Sequence, residues 1–262
     1  MKIEGRWALV TGATGGLGAE LAGSLAKRGC NIVLSARRQG ALERLAARLR
    51  ERHGVEVLIE PCDLGEPGAA TELHRRLTQR GVTVSILVNN AGFGLHGDFV
   101  SHPVDATDEM LRVNVQSLTA LTRLFGSDMA QAGRGAILLV GSLTAYAPCP
   151  SYAAYAASKA FVLHFGEALH QELAGAGVAV TVLSPGIMAT GFLDTAGHQP
   201  SALLRATMLS PARVAEIGIA ALLKGKRSVV AGRMNQMTAL SARLLPRRLV
   251  LRLMARTLAN AG

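Results

Sequence analysis

Acidic residues run out before the chain does. Beyond Glu216 there is no Asp or Glu, while Lys224, Lys226, Arg227, Arg233, Arg243, Arg247, Arg248, Arg252 and Arg256 follow, so the net charge of +10 over 262 residues belongs to the tail. Cysteine is scarce too. Cys30, Cys62 and Cys149 are odd in number and lack C-x-x-C spacing, which excludes a disulfide framework or a zinc site and fits free thiols in a reducing compartment. Cys149 either packs in the core or borders a substrate pocket. The seven histidines form no H-x-x-x-H or H-E-x-x-H pair, so no metal is expected.

Long apolar runs are also missing. Gly135 to Ser158 lacks any charge, but Pro148, Pro150 and several hydroxyl residues exclude a lipid-facing helix there. The first residues, Met1-Lys2-Ile3-Glu4-Gly5-Arg6, lead straight into an apolar strand and leave no room for a signal peptide, so a cytoplasmic protein is expected.

What the chain does have is alternation. Short apolar runs at 7–10, 31–35, 55–59, 86–89, 136–140, 178–183 and 228–231 are separated by helical patterns at 17–28, 41–53, 68–80, 105–132, 153–175 and 211–223. This order predicts βαβ crossovers and an α/β fold, a doubly wound parallel sheet of about seven strands covered on both faces, in one domain over residues 1–232. Asp105 and Ser210 are expected N-caps, with Pro211 at the first helical position. Residues 187–210, mixing glycine, proline and apolar side chains, suit a substrate lid, and 233–262 form a basic amphipathic extension.

The first strand ends in Thr11-Gly12-Ala13-Thr14-Gly15-Gly16-Leu17-Gly18 and enters a helix. Glycines allow close backbone approach to a pyrophosphate, and the helix N-terminus offers free N–H groups, although a purely structural turn also uses such residues. A carboxylate about 20 residues later would hold the ribose of NAD, whereas arginine accommodates the 2′-phosphate of NADP. Here Arg37 and Arg38 stand at that position with no acid beside them, which favours NADP(H), with Arg37 the stronger candidate. Either arginine could instead be a solvated loop residue.

Together with Tyr155-Ala156-Ala157-Ser158-Lys159, these features make residues 5–232 resemble the short-chain dehydrogenase/reductase family. The shared motifs, in the family's order, are Thr11-Gly12-x-x-x-Gly16-x-Gly18, Asn89-Asn90-Ala91-Gly92, Asn114, Ser142, Tyr155-x-x-x-Lys159 and Pro185-Gly186. The resemblance implies a Rossmann fold and hydride transfer between NADP(H) and a carbonyl or alcohol carbon. It makes Tyr155 the acid/base, Ser142 the donor to the reacting oxygen, Lys159 the ribose-binding partner and Asn114 the support of a proton relay.

The tyrosine and lysine lie four apart on one helical face, and an ammonium at ~4 Å would favour phenolate by about 4 kcal/mol, roughly three pKa units. Tyr152 lacks such a partner and is expected to pack or to line the pocket. The resemblance also places Gly12, Thr14, Gly16, Leu17, Gly18, Asn90, Ala91, Gly92, Pro185, Gly186, Ile187 and Thr190 against the cofactor. Asp63 and Leu64 are expected to contact adenine, with helix capping a second role for Asp63.

Ile187, Met188, Phe192, Leu193, Leu203 and Leu204 suggest an apolar carbonyl or alcohol substrate, unless they only close the lid. The resemblance implies a homodimer or homotetramer through helices 105–132 and 153–175, whose small residues an intramolecular core would equally explain. An NAD-linked dehydrogenase and a non-catalytic nucleotide sensor are the competing functions. Arg248, Arg252 and Arg256 recur every four residues beside Leu249, Val250, Leu253 and Met254. Such a helix can lie peripherally on an anionic membrane or pack on protein; no motif supports nucleic acid.

Overall fold

A computed structural model describes residues 2–188 and 208–258. Seven parallel strands form one sheet in the order β3-β2-β1-β4-β5-β6-β7. They are β1 (Trp7–Thr11), β2 (Asn31–Ala36), β3 (Val57–Pro61), β4 (Val84–Asn89), β5 (Gly135–Val140), β6 (Val178–Ser184) and β7 (Ser228–Val230). The central strands are largely apolar on both faces because helices cover both sides.

Alternate residues enter different cores. Ala8, Val10, Ile32 and Leu34 pack with Leu21 and Leu25 of α1 (Gly16–Ala26), Leu42 and Leu49 of α2 (Gln39–His53), and Ile219 of α7 (Pro211–Leu223). Leu9, Val33, Leu87 and Val180 face the other way. They meet Leu73 of α3 (Ala69–Gln79), Phe125 of α5 (Leu118–Gln131) and Val162 of α6 (Ala153–Ala174). Strand order reverses between β1 and β4, and the crevice beyond their carboxyl ends is where an open α/β sheet binds its ligand.

Ser210 caps α7, its Oγ accepting from Arg213 N at 3.3 Å, with Pro211 in the first turn as expected. Asp105 does not cap. The helix starts at Val104, one residue earlier, and Asp105 sits in its first turn. The single helix expected over 105–132 is α4 (Val104–Leu111), a π-helical stretch Arg112–Ser117, and α5. The wider turn buries Val113, Asn114 and Ser117, and a 3.6-residue pattern does not register it.

After β7 the chain forms α8 (Arg233–Leu244) and α9 (Arg247–Leu258), parted at Pro246. Val250 is buried, and Met254 packs on a cluster of Met110, Cys149, Tyr152, Tyr155 and Ala156. The inner side of the tail therefore lies on its own domain, one of the placements left open by its pattern. Among the described residues no helix is long and apolar enough to cross a membrane.

Candidate active site

The turn after β1 is built for close approach. Gly12 has φ +62°, and a Cβ there would sit 2.8 Å from Ala91 Cα; a Cβ on Gly18 would overlap the Gly12 carbonyl. Asn90 braces this turn by donating from Nδ2 to Thr11 O at 3.0 Å and Gly12 O at 3.1 Å, while Thr11 Oγ1 accepts from the backbone N–H groups of Asn90 and Ala91. With Gly15 as its N-cap and no acidic residue in its first turn, α1 points a bare positive end at the crevice. The cradle that side chains would fill, and the N–H groups around it, fit a dinucleotide pyrophosphate.

From this turn a cleft of about 750 Å³ extends over the carboxyl ends of the strands. Gly12, Thr14, Gly16, Leu17, Gly18, Arg38, Asn90, Ala91, Gly92, Ser142, Tyr155, Lys159, Pro185, Gly186 and Ile187 all line it. Thr190 and the lid residues Phe192, Leu193, Leu203 and Leu204 lie outside the described residues. Arg37, Asp63, Leu64 and Asn114 are not part of the lining.

Of the two arginines, only Arg38 lines the cleft. Arg37 Nη1 is 3.4 Å from Glu109 and 4.0 Å from Asp63, an ion-pair cluster beside the cleft, whereas Arg38 opens onto it. Both arginines follow the end of β2 at Ala36, and Arg38 is the N-cap of α2. Asp63 Oδ1 accepts from Gly65 N at 2.9 Å, a local turn; α3 starts later, with Gly68 as its N-cap, so Asp63 does not cap it. Leu64 is buried, and its carbonyl accepts from Ser117 Oγ at 2.7 Å.

At the other end of the cleft, Ser142 begins the short 3-10 turn Leu143–Tyr146 and its side chain hydrogen-bonds Tyr155. Thr144, which motif reading had passed over, donates to Ser142 Oγ at 2.9 Å from its hydroxyl and at 3.2 Å from its backbone N–H, leaving the serine proton available to another acceptor. Tyr155 and Lys159 share one face of α6, and both are buried.

Burial pushes the Tyr155 phenol well above its ordinary value of 10, and the Ser142 hydrogen bond opposes this in part. Lys159 is lowered by burial to about 8. Its ammonium lies 5.8 Å from the Tyr155 ring centre and donates to Val140 O at 3.0 Å. Lys159 is not among the groups that shift the phenol, which burial dominates, so at neutral pH the arrangement presents a protonated phenol beside a hydroxyl group.

Asn114 sits behind the wall. Its Oδ1 accepts from Phe93 N at 3.1 Å, and its Nδ2 donates to Phe93 O at 2.9 Å and Ser158 Oγ at 3.1 Å, tying the loop after Gly92 to α6. Tyr152 lines the cleft, 5.7 Å from Tyr155 between ring centres, and burial pushes it up to about 12. Cys149 is buried and its thiol is likewise raised to about 12, which fits the packing role. The far wall was not legible as such: Ala239, Ala242 and Leu245 of the α8 segment and Val250, Leu253 and Met254 of α9 complete it.

Residues 6–201 match the family model described as short chain dehydrogenase. The very-long-chain 3-oxoacyl-CoA reductase of Anas platyrhynchos is 35% identical over 192 residues, 71% of this chain; the match spans only 61% of that relative's length. A short-chain dehydrogenase from Sphingobium yanoikuyae, solved in complex with NADPH, superposes with a TM-score of 0.82 at 29% identity, covering 91% of this chain and 93% of the other. A structure from a study of 7beta-hydroxysteroid dehydrogenase stereoselectivity gives 0.87 at 28% identity, covering 96% and 97%.

Proposed function

The chain belongs to the short-chain dehydrogenase family and is an oxidoreductase of that fold; on that premise we propose that it reduces an apolar ketone or aldehyde with NADPH, or runs the reverse oxidation, with Tyr155 as the acid/base. The observation that carries this reading is a single cleft lined at one end by Ser142, Tyr155 and Lys159 and at the other by the glycine cradle.

The Gly12–Gly18 turn and the start of α1 would hold the pyrophosphate, Asn90, Ala91 and Gly92 the adenosine side, and Pro185, Gly186 and Ile187 the carboxamide. Arg38 would meet the 2′-phosphate. No carboxylate lines the cleft among the described residues, which favours NADP(H) over NAD. The nicotinamide supplies the hydride. The chain's own residues do the rest. Ser142 donates to the substrate oxygen and holds the carbonyl in place. Tyr155, kept neutral by burial, gives its proton to that oxygen as charge builds there.

Lys159 places a positive charge beside the phenol, which stabilises the phenolate left after proton transfer. Asn114 keeps the Phe93 loop and α6 in register around both, so its contribution is positioning and support of the relay. The apolar wall of Leu143, Tyr146, Tyr152, Val250 and Met254 favours a bulky apolar carbonyl compound. Purified protein mixed with NADPH and a panel of small, aromatic, steroid-like and long-chain carbonyl compounds tests this by loss of NADPH absorbance. Turnover of the bulky apolar members supports the reading; no turnover of any member, in either direction, contradicts it.

A further inference from the structure

Most of the large apolar side chains exposed among the described residues lie between Met234 and Leu253. They are not spread evenly around the tail helices. At 100° per residue, Met237, Leu240 and Leu244 fall on one side of α8, opposite the buried Ala239 and the cleft-lining Ala242. At 64%, 57% and 74% exposed, this ridge is left largely uncovered by the described residues. On α9 the inner line is Val250 and Met254, and Arg248, Arg252 and Arg256 run along the opposite side. The outer surface of the helix pair thus carries an apolar ridge and a cationic ridge, in a segment with no acidic residue after Glu216.

We propose that this outer surface docks on an anionic lipid bilayer, the α8 ridge entering the acyl boundary and the α9 arginines meeting lipid phosphates. The charge selects this occupant. A second copy presenting the same face would bring arginine against arginine with no carboxylate to offset them. Nucleic acid would match the arginines but would leave the methionine and leucines without a use. Anionic lipid satisfies both ridges, since apolar groups partition below the headgroups while basic residues bind above them. The same two helices form the inner wall of the cleft, so docking would bring an apolar binding site to the membrane surface. The docking itself does not depend on the reductase reading.

The test is co-sedimentation of the full chain, without cofactor or substrate, with vesicles of phosphatidylcholine alone and of phosphatidylcholine mixed with phosphatidylserine. Melting curves establish that each variant is folded. The expected result is binding to the anionic vesicles at low salt that fades at high salt and is weak on neutral ones. Arg248→Gln, Arg252→Gln and Arg256→Gln together should weaken it by roughly 100-fold, at about fivefold per basic residue. Met237→Gln, Leu240→Gln and Leu244→Gln together should weaken it by at least about tenfold. The proposal is overturned by failure to bind anionic vesicles at low salt, or by binding that survives both triple substitutions. It is equally overturned by duplex DNA binding as strong that needs only the arginines, or by self-association that the α8 substitutions abolish.

Discussion

Lys159 Nζ lies 5.8 Å from the centre of the Tyr155 ring and donates to the Val140 carbonyl at 3.0 Å, and burial, more than mutual attraction, sets the protonation of both residues. Folding lowers Lys159 from 10.5 to about 8, so the folded state disfavours its proton. Below about pH 8 both states carry that proton and the full cost is present. Between pH 8 and 10 the unfolded chain binds more protons at this site, and stability rises with pH. Above pH 10 the raised Tyr152 and Tyr155 act in the opposite sense, because the unfolded phenols ionise first. Lys159→Met should remove the rise between pH 8 and 10, worth at most roughly 3 kcal/mol at about 1.4 kcal/mol per pKa unit. Urea unfolding across that window checks it; the same slope in both proteins would contradict it.

Arg38 and Arg37 should separate in cofactor titrations. A charge-assisted hydrogen bond is worth about 1.5–3 kcal/mol, so Arg38→Ala should weaken NADPH by roughly 10- to 100-fold and NADH much less. Arg37→Ala breaks contacts with Asp63 and Glu109 and should change both cofactors by only a few-fold. The reverse ranking would return the phosphate site to Arg37.

These two arginines mark where sequence reading stops. The glycine turn was legible because much of its requirement is local: Gly12 has a φ of +62°, and a Cβ on Gly18 would overlap the Gly12 carbonyl six residues back. The parallel sheet was legible because its central strands are largely apolar on both faces. Which neighbouring arginine lines the cleft was not, since it depends on how the chain turns from β2 into α2. Nor was the π-helical stretch that buries Asn114, because one wide turn leaves little mark on a helical pattern. The amphipathic tail was visible, but its place over the cleft rests on contacts of Val250 and Met254 with distant elements.

That placement carries a specificity prediction. Removing the tail after Gly232 would open the cleft, so point substitutions are the cleaner probe. Val250→Ser and Met254→Ser together should raise KM for a bulky apolar ketone by about tenfold, as expected from about 1–2 kcal/mol of lost apolar burial, with little change for a small ketone. Equal losses for the two substrates would show that the α9 wall does not select.

Tyr155→Phe is the most direct test of the proposed chemistry, because it deletes the acid hydroxyl and leaves the ring packed beside Tyr152 and Met110. Turnover of the best carbonyl substrate and the affinity for NADPH are measured on the same preparation. Loss of turnover by about 10²- to 10⁴-fold, with NADPH affinity within a few-fold of the unaltered protein, is the predicted result. Turnover that stays above about a tenth would contradict Tyr155 as the acid/base.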